Sequence, residues 1–353
     1  MKKVLLGLFL LCSTTMWADN TFAIDDFTIK ANEEKVIEVR MYNDEEFTGF
    51  QFDLQLPDGV SVKKKKSGKL YVEGTSRLSP ENEDEEVVQH TLSSSQQESG
   101  LYRVMAYSPE GLNLAGESGE ALVRITIVAS DQISTGMVTP IITNMEMTKQ
   151  DFTKVKPEET TYNCTLQVKA RVTTLGYASF SWPKAIDFSE SGLTAFIAKN
   201  CTGNSLKLVP VTKVPANTGL ILKGTAGSEH EYQLQTTVEA TDDVSENLLS
   251  SNTEGDYEVA SDDIYVLSNL NDGQPGFYRA ARGIQVRQYK SYLQYSASQS
   301  IELYFDEDET TGISIINNSQ PTDDGMYYDL QGRRVSHPTK GVYILNGKKI
   351  IVK

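Results

Sequence analysis

Three histidines, two late cysteines and two dense acidic runs are the groups in this 353-residue chain from which chemistry could be assembled. His90, His230 and His337 stand far apart, and none has a second histidine two or four residues away, the spacing that turns two imidazoles toward one zinc ion. The run GESGE at 116–120 lacks the spacing of the G-x-S-x-G turn that lifts a nucleophilic serine above a sheet. No cysteine stands near a histidine able to take its proton, so a thiol hydrolase has no support. Glycoside hydrolysis needs only two carboxylates, which can be distant in sequence. With 48 acidic residues, though, any chosen pair is more often solvated surface charge. ENEDEE at 81–86 and DEDETTG at 306–312 offer hard oxygen ligands for calcium. The second misplaces the glycine of an EF-hand loop and puts Asn317 where a bidentate glutamate belongs, and both read as loop charge. Trp182, in SFSWPKAI, is either a stacking platform for a sugar or an aromatic packing a strand end, the commoner state. No catalytic, cofactor-binding or metal-ligating residue is assigned, no cofactor is expected, and the expectation is a protein that is not an enzyme.

The elements that would have to position any site begin with a segment bound for removal. MKKVLLGLFLLCSTTMWADN has two lysines, an apolar run from Val4 to Cys12 and small or polar residues up to Ala18, the plan of a secretory signal peptide over residues 1–18. The run is too short to span a bilayer, and no later stretch approaches that length, so no transmembrane segment is expected after cleavage. Leu11 stands where a lipoprotein needs a small residue before Cys12. Cleavage removes Lys2 and Lys3 and takes the formal charge from −15 to −17, which argues against a nucleic-acid partner held by phosphate neutralisation. About 335 residues remain, enough for two cores. Cys164 and Cys201 survive processing. One disulfide is open to them in an exported protein, but Tyr162, Cys164, Leu166 and Val168 alternate onto one strand face, and unpaired thiols are expected.

Hydrophobic periodicity is that of strands almost throughout. GFQFDLQLPDGVSV places Phe50, Phe52, Leu54 and Leu56 on one face and Gln51, Asp53 and Gln55 on the other, with Pro57, Asp58 and Gly59 ending the strand. KVIEVRMYN, LYRVMAYS, ALVRITIVAS and TPIITNMEMT continue at the spacing of a sandwich or barrel. The fold class is therefore all-β.

FTGFQFDLQLPDGVSV, YRVMAYSPEGLNLAGESGEALVRITI and TPIITNMEMT together resemble a cohesin-type module. That resemblance implies a jelly-roll β-sandwich over residues 19–169. Cohesins of the usual sort bind dockerin modules through one sheet face, and similar modules serve as surface scaffolding. Farther on, GYASFSWPKAIDF, VPANTGLILKG, KSYLQ and DETTGI occur in the order seen in a β-rich module near the C-terminus of secreted proteins of the Bacteroides and Prevotella type. This resemblance implies a second β-rich domain over 170–305 and an address, but no chemistry. A linker is expected over 306–322.

The final residues, 323–353, reverse the charge of the chain, with six Lys or Arg against three Asp. YYDLQGRRV and KGVYILNGKKIIVK are strand segments, and Asn346-Gly347 between apolar alternations signals a hairpin, since both residues tolerate the positive φ of a type I′ turn. The resulting small β-meander resembles the C-terminal sorting domain read by the type IX secretion machinery. An ordinary strand set docked on the second domain is the alternative. The expectation is an exported protein at the cell surface or outside the cell, working in adhesion or assembly, with a protein or glycan ligand and with the secretion machinery as partner of the tail. A carbohydrate-binding module protein, or a component of a glycan hydrolase, is the competing reading. Two or more tyrosines on one exposed face would favour glycan binding.

Overall fold

The structure is a computed structural model that describes residues 20–79, 89–227, 230–269, 275–296, 300–305, 313–316, 327–328, 334–335, 340–345 and 348–352. The signal segment, the acidic runs at 81–86 and 306–312, His337, Arg333 and the Asn346-Gly347 pair lie outside these residues. Among the described residues every element is a strand except one 3-10 turn, Ser76–Leu78, so the all-β expectation holds. The chain divides into two compact units, residues 1–169 and 170–353.

The first unit runs through β1 (Thr21–Ala23), β2 (Phe27–Lys30), β3 (Glu34–Tyr42), β4 (Gly49–Leu54), β5 (Val60–Val62), β6 (Val72–Gly74), β7 (Thr91–Gln96), β8 (Tyr102–Tyr107), β9 (Ala121–Ala129), β10 (Gly136–Val138), β11 (Ile141–Thr148), β12 (Lys154–Val155), β13 (Thr160–Thr161) and β14 (Cys164–Arg171). Two sheets face each other. One has the order β1-β3-β9-β5, with β6 also on β9; the other has β12-β11-β4-β8-β7, with β13 on β11. β2 and β10 both pair with β14. The alternation that makes these strands also makes the core: Ile37, Val39 and Met41 of β3, Val123, Ile125 and Ile127 of β9, and Phe50, Phe52 and Leu54 of β4 are all buried. Phe22 of β1 reaches both β4 aromatics, with ring centroids 5.8 Å from Phe50 and 5.3 Å from Phe52.

Two positions of the β4 pattern depart from alternation. Leu56 is only half-buried, because pairing ends at Leu54 and Pro57 takes the buried place beyond it. Asp53, expected outside with Gln51 and Gln55, is 5% exposed, because Arg103 lies directly across from it and covers it. A second buried ion fixes the loops at one end of the sandwich. Arg77, 2% exposed, donates to the carbonyl oxygens of Ala115 and Glu120 in the 112–120 loop, to that of Met41 at the end of β3 and to Asn43 Oδ1, which ties the loop to the strand. Burial pushes its pKa down, countered by Glu120 and Glu117.

The second unit is built on a nine-stranded sheet in the order Tyr177–Phe180, Leu220–Lys223, Thr194–Thr202, Ser205–Val211, Ile301–Phe305, Gly276–Arg279, Ile264–Ser268, Lys290–Gln294, Leu249–Asn252. Its two ends come together without a ladder. Ser291 Oγ donates to the Leu220 carbonyl at 2.7 Å and the Ser181 N–H to the Tyr289 carbonyl at 2.9 Å. The curled sheet encloses Phe196, Leu206, Leu208, Tyr265, Phe277 and Leu293.

The C-terminal residues form a separate five-stranded sheet: Ile313–Ile316, Lys348–Val352, Gly341–Leu345, Tyr327–Tyr328 and Arg334–Val335. Gly341–Leu345 and Lys348–Val352 pair antiparallel, with Tyr343 opposite Ile350 and Leu345 opposite Lys348. Ile313–Ile316 corrects the expectation that 306–322 is only a linker: its apolar run ISII pairs in parallel with the final strand. The small apolar face is Tyr327 and Val352, flanked by Val335 and Tyr343.

Candidate functional site

The outer face of β7, β8, β4 and β11 carries the exposed tyrosine of the first unit, Tyr107. Period-two alternation sends Tyr102, Val104 and Ala106 of β8 inward and therefore Arg103, Met105 and Tyr107 outward. Register sets their neighbours. Tyr107 stands between Thr91 and Gly49, Met105 between Ser93 and Gln51, and Arg103 between Ser95 and Asp53. The flanking residues are short or absent, so Tyr107 remains 50% exposed. Gly49 has no alternative here, because a β-carbon would meet the Ala106 carbonyl at 2.7 Å. The result is an open face whose apolar centre, Met105 and Tyr107, is ringed by hydroxyls, amides and charges, the arrangement of a protein contact surface in miniature.

One corner of that face is fixed by charge. Arg103 grips Asp53 with two parallel bonds, Nε to Oδ1 and Nη2 to Oδ2, each 2.7 Å. Asn144 donates to Oδ2 at 3.1 Å from a bulge in β11, where its φ of 50° puts it in the left-handed region that asparagine tolerates. The Arg103 hydrogen bonds hold the Asp53 carboxyl below its usual range against the opposing effect of burial, and Asp53 in turn raises Arg103. Beyond Gln51, Glu146 takes Lys154 at 2.6 Å and Lys156 at 3.5 Å, which lowers its pKa through the Lys154 contact first. The opposite sheet differs: its outer side carries a ladder in which Glu38 binds Arg40 and Arg124.

The groups that could do chemistry are dispersed. His90 is buried, with Nδ1 donating to the Leu78 carbonyl at 3.2 Å, and burial lowers its pKa against the Leu78 and Leu112 carbonyls. His230 is exposed beside the Tyr232 ring. Among the described residues, no three His, Cys, Asp or Glu side chains come together as a metal would require, and no helix is long and apolar enough to cross a membrane. Cys164 and Cys201 are both free thiols. Cys164 shares its buried strand face with Tyr162, Leu166 and Val168, and burial pushes its pKa up to about 11. Trp182 is 6% exposed, stacked on Phe180 and 4.7 Å from Tyr289, which removes it as a sugar platform. Among the described tyrosines, Tyr107 alone is largely exposed. Its place beside Met105 was readable from the alternation in LYRVMAYS; the cover over Asp53 was not, since it comes from residues 50 and 91 positions away.

No protein-family model matches the sequence, and no curated protein matches it either. Solved cohesin modules are similar to part of the chain. A type I cohesin from Pseudobacteroides cellulosolvens has 15% identity and a TM-score of 0.33, over 43% of this chain and 94% of that one. A non-cellulosomal cohesin from the archaeon Archaeoglobus fulgidus has 13% identity and a TM-score of 0.31, over 42% and 91%. The cohesin module of a family 33 glycoside hydrolase from Clostridium perfringens has 12% identity and a TM-score of 0.31, over 42% and 96%.

Proposed function

We propose that this is an exported, non-enzymatic protein of the cell surface or exterior that works in assembly or adhesion by binding another protein through the outer face of β7, β8, β4 and β11. The observation that carries the reading is that face: open, and centred on an exposed Tyr107 beside a half-buried Met105, with polar side chains around them and the Asp53–Arg103 pair fixing one corner. An exposed aromatic beside a partly accessible thioether, inside a polar rim, is what a protein contact uses. A glycan site stacks sugars on aromatics, and a face with one exposed tyrosine, Tyr107, among the described residues gives poor support to that alternative. The resemblance to cohesins adds a partner class, a module of the dockerin kind. The apolar run behind two lysines at the N-terminus supports export, and the compact basic C-terminal sheet supports a sorting address of the type IX kind.

The test is capture by immobilised full-length protein from an outer-membrane extract, comparing wild type with Tyr107→Asp and Met105→Lys on this face and with Arg124→Gln on the opposite sheet. A protein that binds wild type and Arg124→Gln and is lost from both face variants supports the assignment. A protein captured equally by all four, or bound glycan lost with none of them, overturns it.

A further inference from the structure

The second unit contains a cavity of about 650 Å³, within the size range of small-molecule pockets. It is bordered by residues of the strands Tyr177–Phe180, Ile264–Ser268 and Lys290–Gln294, near the place where the curled sheet meets itself. Apolar side chains, Val172, Leu175, Tyr177, Val266 and Ile284, form much of the wall. Its charged residues are all of one sign: Arg171, Arg287 and Lys290 line it, and no carboxylate does. Arg171 is engaged by Glu231 at 2.8 Å. The other two have no such neighbour. Among the described residues neither Arg287 nor Lys290 is in an ion pair, and the Lys290 ammonium has only the Ser179 carbonyl at 3.5 Å.

Arg287 and Lys290 both border the cavity from its solvent-exposed side, and the charge of Arg287 acts on the Lys290 ammonium, so two like charges share the opening without a counter-ion among the described residues. Lys290 keeps contact with solvent, yet protein around its ammonium lowers its pKa through desolvation first and the Arg287 charge second. A bound anion would relieve both effects. A guanidinium and an ammonium that line one cavity recognise a carboxylate by charge-assisted hydrogen bonds, whereas the apolar wall offers nothing to a fully polar ion such as sulfate. We infer that this cavity binds a small organic acid, with its carboxylate against Arg287 and Lys290 and an apolar body along Val172, Leu175, Tyr177, Val266 and Ile284. The site is formed by the second unit's own residues and is independent of the recognition face of the first.

The test uses the full chain and three probes of matched length: octanoate, octanol and octylammonium. Thermal shift and isothermal titration calorimetry read binding. Octanoate should bind and raise the melting temperature of the second unit, while octanol and octylammonium leave it unchanged. Arg287→Gln and Lys290→Gln should each weaken octanoate on the order of tenfold, the loss expected for one charge-assisted bond, and Lys290→Arg should retain it. Equal shifts with octanol and octanoate would reduce the cavity to an unspecific apolar hole and overturn the inference. So would no octanoate binding to wild type, or octanoate binding undiminished in the Arg287→Gln/Lys290→Gln double variant. Wild type compared with three probes needs no substitution to fold.

Discussion

Replacing Arg103 with Leu should cost the first unit about 2 kcal/mol, a value bracketed by two limits. A fully buried pair that loses one partner costs about 3–5 kcal/mol, and a fully exposed pair about 0–1 kcal/mol. The pair lies between these, since the Asp53 side chain is 7% exposed and that of Arg103 33%. The substitution strips two of the three hydrogen bonds to the carboxylate and leaves Asn144 as the remaining donor, but it also lets water reach the side that Arg103 had covered. For a unit of this size the loss corresponds to roughly 4–8 °C in Tm. Urea unfolding followed by peptide circular dichroism measures it, and Trp182 fluorescence follows the second unit separately. Asp53 supplies a check through pH. Its carboxyl lies below its ordinary value in the folded state, so its contribution is complete above the ordinary carboxylate range and is lost as pH falls through the folded pKa. The gap between wild type and Arg103→Leu should therefore be widest near neutrality and shrink in strong acid. Asp53→Asn combined with Arg103→Leu should be more stable than the sum of the two single losses predicts, with a coupling of about 1–2 kcal/mol. A single-variant cost below about 0.5 kcal/mol, or a cycle without coupling, would refute the claim that this pair is a buried anchor and not a surface contact.

Phe52→Ala should destabilise the first unit by about 3–5 kcal/mol, because the ring is fully buried against Phe22 and Phe50; Phe52→Leu should cost clearly less, and denaturant melts rank them. His90 has a lowered pKa when folded, so stability it contributes in its neutral form is present above the ordinary imidazole value of 6.5 and is lost as pH falls below it. Between pH 7.5 and 5 the wild-type Tm should drop more than that of His90→Gln. With thiols free and Cys164 fully buried, iodoacetamide should label Cys201 in the native protein and reach Cys164 only on unfolding, which peptide mass spectrometry reads directly. Removing residues 313–353, the whole small sheet, should leave the Tm of the rest nearly unchanged while the protein accumulates in the periplasm. Normal surface delivery on cell fractionation would overturn the sorting reading, and unfolding would make the sheet structural.

The elements were legible where the determinants are local. Phe50, Phe52 and Leu54 declare a strand because each faces the same side two residues on, and KGVYILNGKKIIVK declares a hairpin because its partners are adjacent in sequence. What stayed hidden depends on partners far along the chain. Alternation assigns Asp53 to the outer face, but whether that face is wet at Asp53 is decided by Arg103 and by a bulge at Asn144. ISII at 313–316 has the composition of a strand, yet its partner is the last strand of the chain, and flanking acidic and polar residues made the segment read as a linker. The proposed contact face was readable as three outward positions of β8. Its openness was not, because that follows from the small size of Ser93, Thr91 and Gly49 on other strands.

The parallel pairing of β2 with β14 has a consequence for how the first unit can come into being. Phe27 lies beside Cys164, and Asp26 accepts from Asn163, a residue 137 positions later. A chain delivered from its N-terminus presents Phe27 and Ile29 long before those partners exist, for roughly 10 to 30 s at ordinary rates of synthesis. Such long-range closure also folds slowly once complete. The nascent module is thus an open-edged, sticky intermediate for most of its own manufacture, and the step that finishes it is the arrival of its final strand.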